Sequence, residues 1–143
     1  MNLERNLWVS LMVKLAEEDV FFQRIESDTA NGIPDVWIGK DGAYAWVENK
    51  AVAKYPVRAT TNVFGEKHGL RPEQKVWHLR AARHGVVSYI VAAVGSGHQR
   101  EVFVVPGALA FSFNTLTRPA LSAYACPLAA VPARLLAQPT SGA

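Results

Sequence analysis

Leu3, Leu7, Trp8, Leu11, Met12 and Leu15 recur at helical spacing, and Asn2 stands where an N-cap would. Residues 2–18 are therefore predicted to form a helix. Glu4 shares the stripe of Trp8, Leu11 and Leu15, while Glu17, Glu18 and Asp19 crowd the C-terminal end and are read as solvated. Residues 20–25 predict a first strand, and a polar turn follows over 27–32. Two β-rich runs, 33–39 and 43–50, flank Lys40-Asp41-Gly42, and an Asp-Gly pair between such runs signals a hairpin. Residues 51–70 hold few apolar positions and include Pro56, Gly65 and Gly69, which predicts a loop of about twenty residues. A second helix is predicted over 71–84, with Pro72 at its first position and Gly85 just past its end. Runs 86–94 and 101–105 predict a last strand pair around Gly95-Ser96-Gly97-His98. This order of elements implies an α/β domain, a mixed sheet with helices packed on it.

From Pro106 the composition shifts: five of the eight prolines lie there and no acidic residue does. The expectation is a core over 1–105 and, within the same domain, an Ala/Pro-rich extension over 106–143. That extension is read as an irregular wrap with a short helix near 129–137 and a partly disordered tail. Its Phe111, Phe113, Leu116 and Leu121 could supply an interface or cap the core.

The hairpin carries the first chemistry. With Asp41 and Gly42 as central turn residues, Lys40 pairs with Ala43 and Asp35 falls directly opposite Glu48. Trp37 faces Trp46 on the same side, and Lys50 lies there too; Val36–Val47 and Ile38–Ala45 form the opposite, core-facing side. Like charges facing across a ladder destabilise it. They make sense around a divalent cation, because hard oxygen ligands suit Mg²⁺ and Mn²⁺. The alternatives are that one carboxylate is solvated at an edge, or that the loop has another length. A one-residue slip would send the two acids to opposite faces.

Composition narrows the class. Half of the 143 residues are hydrophobic and 19% are charged, which excludes wholesale disorder. The single cysteine, Cys126, excludes an intramolecular disulfide and a multi-cysteine zinc site, and is read as a buried hydrophobe. The start does not read as a signal peptide, and the longest apolar run, 86–94, is too short to cross a bilayer. The expected setting is cytoplasmic, with no membrane partner. Residues 1–48 carry four Lys/Arg against nine Asp/Glu, whereas 49–143 carry eleven against three. The excess centres on 50–84, which points to an anionic partner, nucleic acid first.

Gly32-Ile33-Pro34-Asp35 followed by Glu48-Asn49-Lys50 resembles the PD-(D/E)xK nuclease signature. Glu4-Arg5-Asn6-Leu7-Trp8, Arg24-Ile25-Glu26, Trp46-Val47-Glu48-Asn49-Lys50 and Arg71-Pro72-Glu73-Gln74-Lys75-Val76-Trp77 are together similar to the small stand-alone VRR-NUC nucleases. Those nucleases are often phage-borne and related to archaeal-type Holliday junction resolvases. The resemblance covers roughly residues 3–94. It implies a restriction-endonuclease-like mixed sheet flanked by helices, and hydrolysis of DNA phosphodiesters with Mg²⁺ or Mn²⁺. Branched DNA is the implied substrate, and a homodimer the implied assembly. By position, Asp35, Glu48 and Glu4 would be metal ligands, Lys50 would orient the attacking water and the phosphate, and Gln74 would help shape the site. Asn49 occupies the variable position, and the stretch from Lys50 to Arg71 differs widely among relatives, which bears on substrate choice.

Several residues keep two readings. Glu4 is either a ligand or a first-turn acid that favours the helix. Glu26 is structural or a second acid near the site. Gln74 and His78 share a helix face, with His78 read as part of a solvated pair. Trp37 and Trp46 are read as covering the sheet near the site. Lys54, Arg58, Lys67, Arg71 and Lys75 are read together as phosphate contacts. Alternatives to a structure-selective endonuclease are a nonspecific or nicking DNA nuclease, and a non-catalytic DNA-binding or accessory protein on a nuclease fold.

Overall fold

The computed structural model describes residues 2–25 and 32–137; Glu26 and most of the predicted polar turn lie outside them, as do residues 138–143. The apolar stripe seats the first helix, α1 (Leu3–Glu17), by burying Leu7, Trp8, Leu11 and Leu15. Each such leucine contributes about 1.5–3 kcal/mol. Its N-cap is Asn2, whose Oδ1 accepts the Arg5 backbone N–H at 3.0 Å. Two short strands follow, β1 (Phe21–Arg24) and β2 (Val36–Lys40), then the long β3 (Ala43–Val52). The turn joining β2 and β3 has φ of 52° at Asp41 and 86° at Gly42. Positive φ at both central residues is the two-residue hairpin geometry that an Asp-Gly pair favours.

The register is the expected one: Val36 opposes Val47, Trp37 opposes Trp46, and Lys40 opposes Ala43. Strand β2 is shorter than the predicted run, starting at Val36 rather than 33. Pro34 has no N–H for a ladder, and the Asp35 carboxylate turns to a backbone donor instead. Strand β3 is longer than predicted, taking Ala51 and Val52 out of the supposed loop, because both pair with β4 (Ser88–Val94). The segment between them also contains the helical turn α2 (Gly65–His68) and leads into α3 (Pro72–Arg83), which Pro72 opens. Gly85, just beyond α3, has φ of 73°, as a helix-ending glycine should. Strand β5 (Glu101–Pro106) completes a five-stranded sheet in the order β1-β2-β3-β4-β5, antiparallel except for the β3–β4 pair.

Each face of the sheet has its own core. Val36, Ile38, Ala45, Val47, Val91 and Val104 pack against α1 on one side. Ile90, Ala92, Phe103 and Val105 pack with Phe64 and Leu70 on the other. The C-terminal segment closes both. Helices α4 (Ala110–Phe113) and α5 (Arg118–Leu121) bury Ala110, Phe113 and Leu121 in the second core, and α6 (Val131–Leu136) buries Val131 and Leu135 in the first. Phe113 and Leu121 thus cap the core, whereas Phe111 is 55% exposed. Among the described residues no helix is long and apolar enough to cross a membrane.

The segment 53–64 is held down by this extension. The Val63 N–H donates to the Leu116 carbonyl at 2.9 Å, and the Arg118 guanidinium lies 3.8 Å from the centre of the Tyr55 ring. Asn114, 1% exposed, accepts the Leu70 N–H through Oδ1 at 2.6 Å and donates Nδ2–H to the Leu70 carbonyl at 2.8 Å. Asn114→Ala leaves both backbone groups buried and unpaired, so a loss of about 2–4 kcal/mol in urea unfolding is expected. A loss of a few tenths would show that the extension is not integral to the domain.

Candidate active site

The site forms where β2 stops and β3 continues. From Glu48 to Val52, β3 pairs only with β4, so one edge of that stretch is left for side chains and for the start of α1. Asp35 meets Glu48 there. Asp35 Oδ2 accepts the Asn49 backbone N–H at 2.9 Å, which holds the carboxylate against the strand. Glu48 is 2% exposed, Lys50 is 9% exposed, and Lys50 Nζ stands 4.0 Å from Glu48 Oε2. Asp35, Glu48 and Lys50 therefore converge as the hairpin arithmetic requires.

Burial, with the neighbouring Asp35 charge, raises the Glu48 carboxyl well above the ordinary carboxylate range; the Lys50 ammonium offsets part of this. Glu48 Oε1 is buried without a hydrogen-bond partner. An orphaned carboxylate oxygen is costly.

The chain just before Asp35 approaches α3 closely. Gly32 has φ of 81°, and a Cβ there would overlap the Glu73 carbonyl. Glycine is required on both counts. This packing brings the start of α3, with Gln74, beside the Gly32–Asp35 turn. Gln74 is buried, and its Oε1 accepts the Arg71 backbone N–H at 2.9 Å. Its carbonyl is thus committed to capping α3, which leaves only the amide NH₂ to face a substrate.

Glu4 sits at the rim. It shares a cleft of about 200 Å³ with Arg5, Arg24, Asp35 and Asn49. Desolvation raises its carboxyl, with Lys50 opposing and Asp35 reinforcing that shift. Among the described residues, however, no three His, Cys, Asp or Glu side chains stand at metal-holding spacing. Glu4 rides on the exposed first turn of α1, within electrostatic reach of Asp35 and Glu48.

The basic residues are spread around this centre. Lys54 and Arg58 are exposed on 53–64, and Lys67 is exposed on α2. Arg71 pairs with Glu73 at 2.9 Å on the surface, where such a pair is worth little and yields easily to a phosphate; Lys75, largely covered, pairs with Glu66 at 3.8 Å.

His78 departs from the sequence reading. It is fully buried, not solvated, with Nδ1 and Ser88 Oγ 2.8 Å apart and Nε2 without a partner. Burial and the Lys50 charge lower its pKa to about 4. The unfolded chain, titrating near 6.5, then binds the proton first. Stability therefore falls as pH drops below about 6.5 and levels off below about 4, by up to about 3 kcal/mol. His78→Gln should remove that part of the acid dependence in denaturation curves at pH 7, 5.5 and 4.5; parallel curves for the two proteins would refute the buried neutral histidine.

Sequence reasoning also missed Asn49, whose N–H fixes Asp35, because only the fold shows a backbone donor in that place. The Ser88–His78 pair, ten residues apart on different elements, left no local signal.

No protein-family model matches the chain, and no curated protein does. Among solved structures it is similar to Hjc of Archaeoglobus fulgidus, described as a Holliday junction resolvase from an archaeal hyperthermophile. The alignment covers 89% of this chain and 98% of that one, with a TM-score of 0.60 and 14% identity. The chain has that resolvase fold. It is a mixed five-stranded sheet flanked by helices, of the restriction-endonuclease-like kind.

The donor set fits a hard divalent cation. Two carboxylates face each other, one with a buried oxygen lacking a partner, and the neighbouring amine is a lysine rather than a soft ligand.

Proposed function

We propose that this protein is a divalent-metal-dependent endonuclease that hydrolyses DNA phosphodiesters, acting structure-selectively on branched DNA in the manner of a Holliday junction resolvase. The observation that carries the proposal is the Asp35–Glu48 pair, face to face beside Lys50, with Glu48 Oε1 buried and unpartnered. A sheet gains no stability from this arrangement. The PD-(D/E)xK pattern of these residues, the VRR-NUC-like surroundings and the resolvase fold support the same reading.

Asp35 and Glu48 would hold Mg²⁺ or Mn²⁺, with Glu4 as a further acid at the rim. Such a cation supplies Lewis-acid stabilisation of the phosphate and a bound water of lowered pKa. The protein's own groups do the rest. The Asn49 N–H keeps Asp35 oriented. Lys50 places a compact positive charge where negative charge develops on the phosphate, in a pocket that screens it poorly. The Gln74 amide NH₂ can donate to a phosphate oxygen or a water. Lys54, Arg58, Lys67, Arg71 and Lys75 would contact flanking phosphates, giving strong salt dependence. Two-fold character in a junction suits a homodimer with one site per strand.

The test is cleavage of a synthetic four-way junction with Mg²⁺, against linear duplex and single-stranded controls. Asp35→Asn and Lys50→Ala should each lower the cutting rate by at least about a hundredfold while each variant still folds and binds the junction. Equal cutting of linear duplex would remove the branched-substrate part. Full activity in Asp35→Asn would remove the Asp35–Glu48 pair as the catalytic site, and no cutting of any DNA by the wild type with Mg²⁺ or Mn²⁺ would remove the nuclease reading.

A further inference from the structure

We propose that residues 53–62 form a stiff finger whose tip, Val57, wedges into the base stack of duplex DNA at a branch point. Val57 is 104% exposed, whereas no other large hydrophobic side chain among the described residues exceeds 55%. Single apolar residues on a surface are ordinary, but this one tops a loop that is fixed on both sides. At one end the Val52 carbonyl accepts the Gly95 N–H at 2.9 Å; at the other, Asn62 bridges to Thr117. Within the loop, the Arg118 guanidinium lies 3.8 Å from the Tyr55 ring centre and 4.0 Å from Glu101 Oε1. The Thr61 N–H closes a turn onto the Arg58 carbonyl at 3.2 Å. Pro56 fixes its own φ just before Val57. A tip already held in place loses little order when it is inserted.

Charges on the same loop select the occupant. Lys54 and Arg58 flank the tip, three residues before Val57 and one after it, and both are exposed. Neither forms an ion pair among the described residues. The chain has no acidic residue between Glu48 and Glu66. A protein that covered Val57 would have to cover these two cations as well. A duplex instead offers phosphates to the cations and a base step to the apolar tip. An aliphatic side chain has no ring face on which a loose base could stack, so it acts by parting neighbouring pairs.

The finger also stands where such a wedge would bear on the site. It leaves the sheet three residues after Lys50, and Ala53 at its root lines a cleft with Glu4. Seven residues carry the chain from Lys50 to Val57, a reach of at most about 25 Å. That is less than one turn of duplex, about 34 Å. Parting a step costs least where stacking is already broken, so Val57 favours branched over continuous DNA.

This inference rests on the nuclease reading of the neighbouring carboxylates, so its test reads base stacking without cleavage. The full chain, in EDTA, is mixed with four-way junctions carrying 2-aminopurine at successive positions around the branch, and with linear duplexes labelled likewise. Emission should rise at least about threefold at one step beside the branch, because unstacking relieves the quenching of that base. Val57→Ser should abolish the rise and Val57→Leu should keep it; the side chain is wholly exposed, so both variants should fold. Lys54→Ala with Arg58→Ala should weaken binding of junction and duplex alike. No rise at any position, or an undiminished rise in Val57→Ser, overturns the proposal. So does a dimer that dissociates in Val57→Ser, since the tip would then be a self-interface. An equal rise in linear duplex overturns the role in substrate choice. If the Val57-dependent rise holds but the wild type cuts no DNA with Mg²⁺ or Mn²⁺, the finger stands and the nuclease reading falls; cutting without any rise removes the finger alone.

Discussion

Replacing Glu48 by glutamine is expected to eliminate cleavage and, at neutral pH, to make the metal-free protein more stable. Glu48 is almost completely buried, faces Asp35, and has one oxygen with no partner. Two carboxylates about 4 Å apart repel by roughly 4 kcal/mol at an effective dielectric of 20. The Lys50 ammonium, 4.0 Å from Glu48 Oε2, and retention of a proton on the pair offset much of that. A net gain of about 1–2 kcal/mol is therefore a reasonable expectation, or several degrees in melting temperature. The pH dependence supplies the signature. A carboxyl whose folded pKa is raised contributes stability that is fully present below its unfolded value, near 4.5. That contribution is lost as pH rises through the folded value. The advantage of Glu48→Gln over wild type should thus be large at pH 7 and vanish below about pH 4.5. Differential scanning calorimetry at pH 4 and pH 7 without metal decides it. A glutamine variant less stable at pH 7 would mean that the carboxylate serves the fold, not the chemistry.

The second large effect should come from the cation. Manganese titrated into the metal-free protein is expected to raise its stability, because ligand binding to the folded state alone adds free energy by mass action. At a hundredfold excess over Kd this is about 2.7 kcal/mol. Asp35→Asn should lose most of that gain by removing half of the facing pair. Glu4→Gln should lose less, since Glu4 stands at the rim. The order of the three proteins in thermal shift against Mn²⁺ concentration, and in heats of binding, checks the assignment. An equal loss in Glu4→Gln and Asp35→Asn would require Glu4 to swing in as a full ligand. No shift in wild type would leave the facing carboxylates unexplained by metal.

These expectations depend on features of unequal visibility in the chain. The Asp35–Glu48 pairing was legible because a two-residue turn and the period-2 alternation of a strand are local rules. Asp41-Gly42 sets the register, and the register sets the face. The first helix was legible for the same reason, its stripe and cap being written within fifteen residues. His78 was misread because burial is not local: the same i,i+4 spacing serves a solvated face or a packed one, and Ser88 and Gly107 close around this one. The stretch after Lys50 was overextended as a loop because Ala51 and Val52 show their strand character only once β4 lies alongside them.

Local chemistry in the sequence determined the hairpin, its register, the helix ends and the convergence of Asp35, Glu48 and Lys50 on one face. The tertiary structure alone decided the rest: the ending of β2 at Val36 that opens the site's edge, and the docking of 106–137 on both faces of the sheet. It also set Glu4 at the rim and tied 53–64 to that extension. Turns and strands are specified by steric and hydrogen-bonding rules acting over a few residues. Depth of burial and neighbours across the sheet are set by packing between segments far apart in the chain, which no short stretch encodes.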